Sequence, residues 1–184
     1  MSTDTRTRIL EATIELLGRE GADGFTASRL AREVGVSKAT LFHHFSALDE
    51  IPLAALDVFS QQMLEAAVPS TSSLDELLAA LAEMTVRLLE ERRGFVKAYF
   101  VFFAKAMFDE RLKARLRTSL ELIKAGFHQL FVECGLSPEQ AARYSYLTLL
   151  LLDGAALHLQ VVEDSTEIRQ AWQGYRQLLQ EVQP

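Results

Sequence analysis

Apolar residues recur at steps of three and four along almost the whole chain, and stretches with the alternating pattern of strands are nearly absent. These steps match the 3.6-residue period of an amphipathic helix. The pattern therefore predicts an all-α protein of about nine helices. The predicted helices cover approximately residues 6–19, 27–34, 38–45, 49–68, 74–91, 95–108, 110–133, 138–162 and 166–182.

Two short helices near the N-terminus are separated by a tight turn. Thr26 and Ser37 are favourable N-cap residues for them, and Gly35 between them suits a left-handed backbone conformation. A helix-turn-helix needs a small residue where its helices cross, a left-handed residue in the turn and an apolar anchor in the second helix. Ala31, Gly35 and Leu41 have this spacing, which also fits a purely structural helical hairpin.

A longer match favours the helix-turn-helix. Residues 5–45, TRTRILEATIELLGREGADGFTASRLAREVGVSKATLFHHF, resemble the DNA-binding region of tetracycline-repressor-like (TetR family) regulators, without gaps. The resemblance implies a DNA-binding domain at residues 1–48 and an effector-binding and dimerisation domain at residues 49–184. It also implies a homodimer on double-stranded, palindromic or near-palindromic operator DNA, released by a small-molecule effector.

The resemblance places the helix that begins at Lys38 in the major groove of the DNA. Lys38 and Thr40 lie in its first turn and are expected to reach base edges, and the Ala39 methyl group suits a thymine methyl. The resemblance further implies contacts with phosphates or base edges for Thr26, Ser37, His43 and His44, and we expect Arg8 to add a contact that is independent of the base sequence.

Three positions depart from the family pattern. Phe42 stands at the usual tyrosine of the recognition helix, His43 at the following aromatic residue, and Leu48 at the usual lysine. Phe42 has no hydroxyl and Leu48 no charge, so fewer side chains can bind phosphates. We therefore expect either weak nonspecific affinity or compensation by other basic residues.

The net charge of −6 is unevenly distributed. Residues 1–48 carry six basic and six acidic side chains, and the remainder carries thirteen basic and nineteen acidic ones. The acidity therefore belongs to the predicted effector-binding domain rather than to the predicted DNA-binding domain.

Aromatic residues surround the predicted helix at 95–108, which is more than one core face requires. Together with aromatic and methionine residues on other helices they predict a pocket for a largely apolar effector, with plain core packing as the alternative. The predicted lining residues are Met84, Tyr99, Phe100, Phe103, Met107, Phe127, Phe131 and Tyr146.

The last two predicted helices resemble a dimer surface. The final helix has one apolar stripe, and the preceding helix is apolar nearly all round. Polar residues interrupt that preceding helix, so we interpret it as a buried helix rather than a membrane span. The predicted stripe consists of Ile168, Ala171, Trp172, Tyr175, Leu179 and Val182.

Other classes of protein are less compatible with the sequence. Cys134 is the only cysteine, which fits a cytoplasmic protein without disulfides. No phosphate-binding glycine loop, metal-ligand spacing or nucleophile in a recognisable setting occurs, so we expect neither an enzyme nor a cofactor or metal. An all-helical interaction module that does not bind DNA is the remaining alternative.

Overall fold

The computed structural model describes residues 4–65, 71–162 and 164–180. Within these ranges the chain forms nine α-helices and no strand, which confirms the all-α prediction. The helical stretches predicted at residues 66–68 and 181–182 lie outside the described residues. The helices are α1 (Thr5–Glu20), α2 (Ala27–Val34), α3 (Lys38–His44), α4 (Glu50–Glu65), α5 (Leu74–Glu91), α6 (Arg93–Ala106), α7 (Glu110–Glu133), α8 (Pro138–Val162) and α9 (Thr166–Gln180).

The described chain divides into two compact units. The first contains residues 4–65 and 93–119, and the second contains the other described residues, 71–92, 120–162 and 164–180. Helix α7 contributes residues to both units. The proposed functional boundary at residue 48 stays a prediction.

In the first unit, α1 packs against α2, α4 and α6. Ile9 and Leu17 of α1 are fully buried in this core. At Gly18 the backbones of α1 and α6 meet, because a Cβ atom added to Gly18 would lie 1.9 Å from the carbonyl oxygen of Gly94. Only a residue without a side chain permits this approach, so Gly18 sets how closely α6 lies against α1.

Polar contacts join α4 to the first half of α7. The Arg111 guanidinium lowers the pKa of the Asp49 carboxyl by donating a hydrogen bond to it. Because α4 follows the helix-turn-helix directly in the chain, these contacts hold it in a defined register against α7. The contacts are those of Arg111 with Asp49 (2.6 Å), Arg115 with Asp57, and the Ser60 hydroxyl donating to Ser119 Oγ (2.7 Å).

In the second unit, α5 packs against α8 and α9. Trp172 of α9 is 2% exposed and belongs to the core of the unit. The hydroxyl groups of Tyr175 and Thr148 lie 2.8 Å apart, and the Tyr175 hydroxyl donates to the Tyr144 carbonyl oxygen (3.1 Å). Burial of this hydroxyl raises the pKa of Tyr175 to about 12. The half-buried Tyr175 therefore joins α9 to α8 through these hydrogen bonds.

Candidate nucleic-acid interface and ligand sites

The turn between α2 and α3 has the geometry of a helix-turn-helix. The Thr26 side chain accepts a hydrogen bond from the backbone N–H of Arg29 (3.3 Å) and caps α2. Gly35 then adopts the left-handed conformation, with φ 73° and ψ 34°, and the Val36 N–H donates to the Ala31 carbonyl oxygen (2.9 Å). This pattern closes the end of a helix, and it confirms the turn predicted at Gly35.

The start of α3 is fixed by its own N-cap. Ser37 Oγ accepts a hydrogen bond from the Thr40 N–H (3.0 Å), and the two hydroxyl oxygens lie 2.8 Å apart. Leu41 is fully buried and anchors α3 to the small core that contains Leu30 and Ala31. The Thr40 hydroxyl therefore has a hydrogen-bond partner within its own chain. Of the two residues predicted to contact bases, Lys38 is the less constrained.

One face of α3 is exposed. Lys38, Ala39, Phe42 and His43 are exposed, whereas Thr40 and His44 are half-buried. Successive residues of an α-helix are rotated by about 100° about its axis, so these four exposed side chains cover an arc of about 140° around α3. We call this set, in the angular order Lys38, Phe42, Ala39 and His43, the outward face of α3.

The basic side chains around the helix-turn-helix fall into two groups. Arg19 forms an ion pair with Glu33 (3.0 Å), whose hydrogen bond raises the pKa of Arg19, and Arg29 forms one with Glu20. Within the part of the chain that the structure describes, Arg6, Arg8, Arg32 and Lys38 form no ion pair. No described carboxylate therefore neutralises these four cations.

Arg8 also has a structural contact. Its Nη2 donates a hydrogen bond to the Val34 carbonyl oxygen (2.6 Å), so it joins α1 to the C-terminal end of α2. Arg6 places its guanidinium 5.2 Å from the centroid of the Phe45 ring. Both side chains remain exposed, and the phosphate contact of Arg8 stays a prediction.

The predicted effector-binding residues are divided between the two units. In the first unit, the Tyr99 ring lies 4.8 Å from the Phe103 ring and 5.4 Å from the Phe100 ring, and it stacks on Phe59 of α4. Met107 lies just beyond α6 and is exposed. Some aromatic side chains of α6 therefore pack in a cluster with Phe59 of α4. Ligand binding by Tyr99, Phe100, Phe103 and Met107 stays a prediction.

In the second unit, the predicted effector-binding residues differ in burial. Phe127 and Phe131 are buried in the core, Met84 is half-buried, and Tyr146 is exposed on α8. A role for them in ligand binding stays a prediction. A metal role is not indicated by the described residues, since no three His, Cys, Asp or Glu side chains among them are grouped closely enough to hold an ion.

The first unit contains an open cleft of about 570 Å³. The cleft is bounded by the turn after α1, the start of α4, the end of α6 and the start of α7, and none of the predicted effector-binding residues lines it. Apolar side chains dominate its wall, and Lys105 and two carboxylates add charge. The lining residues are Ala22, Asp49, Pro52, Leu53, Val101, Ala104, Lys105, Phe108, Asp109 and Leu112.

Helix α8 carries a large exposed apolar surface. Only 28% of its most apolar window is buried within its own chain, so the chain's own core covers this helix only in part. By length and composition it is the one helix among the described residues that fits a membrane span, which is weak evidence for one. Five of its exposed residues follow each other at steps of three and four and form what we call the α8 stripe: Leu147, Leu150, Gly154, Leu157 and Val161.

The predicted dimer stripe on α9 requires a correction. Ile168, Trp172 and Leu179 are buried against their own chain, so they cannot face a partner, and Val182 lies outside the described residues. The exposed apolar residues of α9 are Ala171 and Leu178. The sequence shows one apolar stripe on α9, and the prediction placed it at the dimer interface. In the structure the same stripe packs into the core of the second unit. The spacing of the α8 stripe was visible in the sequence.

Comparison with known proteins agrees with the geometry of the first unit. Residues 9–55 match the sequence profile of the family described as "Bacterial regulatory proteins, tetR family". The match spans most of α1, all of α2 and α3, and the start of α4. The chain is also 29% identical over 132 residues to the nucleoid occlusion factor SlmA of Aliivibrio fischeri (strain MJ11), covering 70% of this chain and 67% of that protein.

Solved structures share the fold over almost the whole chain. A transcriptional regulator from Rhodococcus sp. Rha1 has a TM-score of 0.84 at 23% identity, covering 98% of this chain and 100% of that one. A protein from Saccharomonospora viridis, whose structure is in complex with choline, has a TM-score of 0.77 at 19% identity, covering 92% of this chain and 94% of that one. At these identities the structures show a common fold.

Proposed function

We propose that the chain is a TetR-family regulator, namely a cytoplasmic transcriptional repressor that leaves its operator when a small, largely apolar effector binds. The observation that carries the proposal is the helix-turn-helix, with α3 capped by Ser37, anchored by Leu41 and exposed on its outward face. The family profile that residues 9–55 match is described as one of bacterial regulatory proteins, which supports a regulatory function.

A two-fold dimer is part of the proposal. A single seven-residue recognition helix contacts too few bases for a specific site, and two copies on paired half-sites multiply the specificity. The α8 stripe supports this interpretation because a continuous exposed apolar surface on a soluble chain usually marks an interface. Gly154 lies at its centre with open space around it, which permits two helices to cross closely.

Replacing Lys38 by alanine is expected to reduce discrimination between the operator and a scrambled duplex by about 1 to 3 kcal/mol, because a base contact is lost. Lys38 is exposed and has no described ion pair, so the change should leave the fold intact. The measurement is the dissociation constant for both duplexes at one fixed salt concentration. An unchanged ratio of the two constants would show that Lys38 does not contact a base.

The matched control is Arg8→Ala. It is expected to weaken binding to both duplexes alike and to reduce the salt dependence of binding, because a phosphate contact carries no sequence information. Arg8 also bonds to the Val34 carbonyl, so melting curves are needed to separate a loss of affinity from a loss of stability.

The effector and the operator are expected to oppose each other. The Saccharomonospora viridis protein is described in complex with choline. In this chain, the aromatic cluster on α6 packs on α4, which follows the helix-turn-helix directly, so a ligand beside this cluster can displace α4. Half-sites lie about 34 to 36 Å apart, so small shifts of α4 change the fit of both recognition helices.

Thermodynamic linkage makes this expectation measurable. The effector should weaken operator binding by the same factor by which the operator weakens effector binding, typically corresponding to about 1 to 3 kcal/mol. The measurement is a calorimetric titration of the effector with and without operator duplex. Equal affinity for the effector in both titrations would disprove the allosteric part of the proposal and leave DNA binding untouched.

The second candidate function is an all-helical interaction module that does not bind DNA. Selection of bound duplexes from a random pool separates the two candidates. Enrichment of a palindrome or near-palindrome is the expected result and supplies the operator. No enrichment with the intact oligomer would favour the interaction module.

A further inference from the structure

The centre of the outward face of α3 is apolar. In the angular order of the four exposed side chains, Lys38 and His43 lie at the edges, and Phe42 and Ala39 lie between them. The buried anchor Leu41 points to another side of the helix. A surface that binds only phosphates would carry donors at this position, so the two apolar side chains need another explanation.

The described fold leaves much of the Phe42 side chain exposed. Its side chain is 43% exposed, and none of the described aromatic contacts involves it. A phenyl ring has no hydrogen-bond donor for a phosphate oxygen. Its position on α3 therefore indicates a contact with an apolar group of the bound partner.

In the major groove, the apolar group that a base pair presents is the C5-methyl of thymine. We propose that Phe42 recognises the methyl group of a thymine in each half-site, and that Ala39 extends the apolar surface around it. This inference rests on the proposed function, because it requires α3 to enter the major groove. It assigns to Phe42 a role in specificity in place of a phosphate contact.

The position of the thymine follows from the spacing on the helix. Lys38 and Phe42 are four residues apart, so their Cβ atoms lie about 5 to 6 Å apart on the same side of α3. Successive bases along one strand are separated by about 3.4 Å. A guanine is the base that best suits a contact with Lys38. The thymine should therefore lie within about two base pairs of this guanine.

The test uses operator duplexes in which one thymine at a time is replaced by uracil in both half-sites. Uracil keeps the hydrogen-bonding groups of thymine and lacks only the methyl. At one position, we expect the affinity of the unsubstituted protein to fall about fourfold per half-site, or about 15-fold for the symmetric change, the effect of burying one methyl group. The Phe42→Ala variant should bind the thymine and uracil duplexes equally at that position.

Lys38→Ala is the matched control on the same face. It should lose discrimination at the guanine and keep the thymine-to-uracil ratio of the unsubstituted protein. Because Phe42 and Lys38 are both exposed, both variants should melt at the same temperature as the unsubstituted protein, which excludes misfolding as the cause of a changed ratio.

The outcomes separate this inference from the proposed function. If the protein enriches an operator but binds thymine and uracil equally at every position, the recognition of thymine is wrong and DNA binding stands. If Phe42→Ala retains the full uracil effect, the assignment to Phe42 is wrong. If no duplex is enriched, the proposed function itself fails.

Discussion

Gly18→Ala is expected to lower the free energy of unfolding by at least about 3 kcal/mol, at the upper end of what overpacking costs. The new Cβ would lie 1.9 Å from the carbonyl oxygen of Gly94, and that oxygen belongs to the backbone, so no side-chain rotation can relieve the overlap. Helix α6 must move away from α1, which opens the core of the first unit. For a chain of this length the melting temperature should fall by about 6 to 12 °C.

Gly94→Ala is the matched control for this crossing. A Cβ atom on Gly94 meets nothing within 4 Å, although the two glycines face each other across the same contact. Both substitutions replace a helical glycine by alanine, which favours alanine by up to about 1 kcal/mol. The difference between the two variants therefore isolates the helix crossing. Equal melting temperatures for the two variants would contradict the close approach of α1 and α6.

Leu157→Glu is expected to raise the dissociation constant of the dimer at least about 100-fold, which corresponds to about 2.7 kcal/mol. Leu157 is 52% exposed next to Gly154 in the α8 stripe, and two-fold symmetry introduces the charge twice into one interface. Operator affinity should fall with it, because a monomer engages only one half-site. Sedimentation at micromolar concentration measures the first effect, and operator titration measures the second.

Leu122→Glu is the control for the dimer prediction. Leu122 is 54% exposed on α7, so the same substitution there introduces the same charge at a similar exposure outside the α8 stripe. It should leave the association unchanged. Trp172→Glu should instead unfold the second unit, because Trp172 is buried within its own chain. A Leu157→Glu protein that still sediments as a dimer would disprove the proposed interface.

The helices and the helix-turn-helix follow from local sequence. Hydrophobic periodicity, the N-caps Thr26 and Ser37, and the left-handed Gly35 act within a few residues of one another, so they are readable along the chain. The structure shows α2 and α3 within a residue of the predicted bounds, with both caps and the turn formed as expected. The family resemblance lies in the same stretch, and residues 9–55 match the family profile.

The tertiary structure decided which face of each apolar helix is buried. The sequences of α8 and α9 show apolar residues at helical spacing, but periodicity does not tell whether a stripe meets its own core or another surface. Trp172 is buried because α9 packs against α5, whereas Leu157 of α8 is exposed. The close approach of Gly18 to Gly94 was not predictable either, because these residues are far apart in sequence. The exposure of Phe42 likewise depends on the tertiary packing, which buries Leu41 of α3 instead.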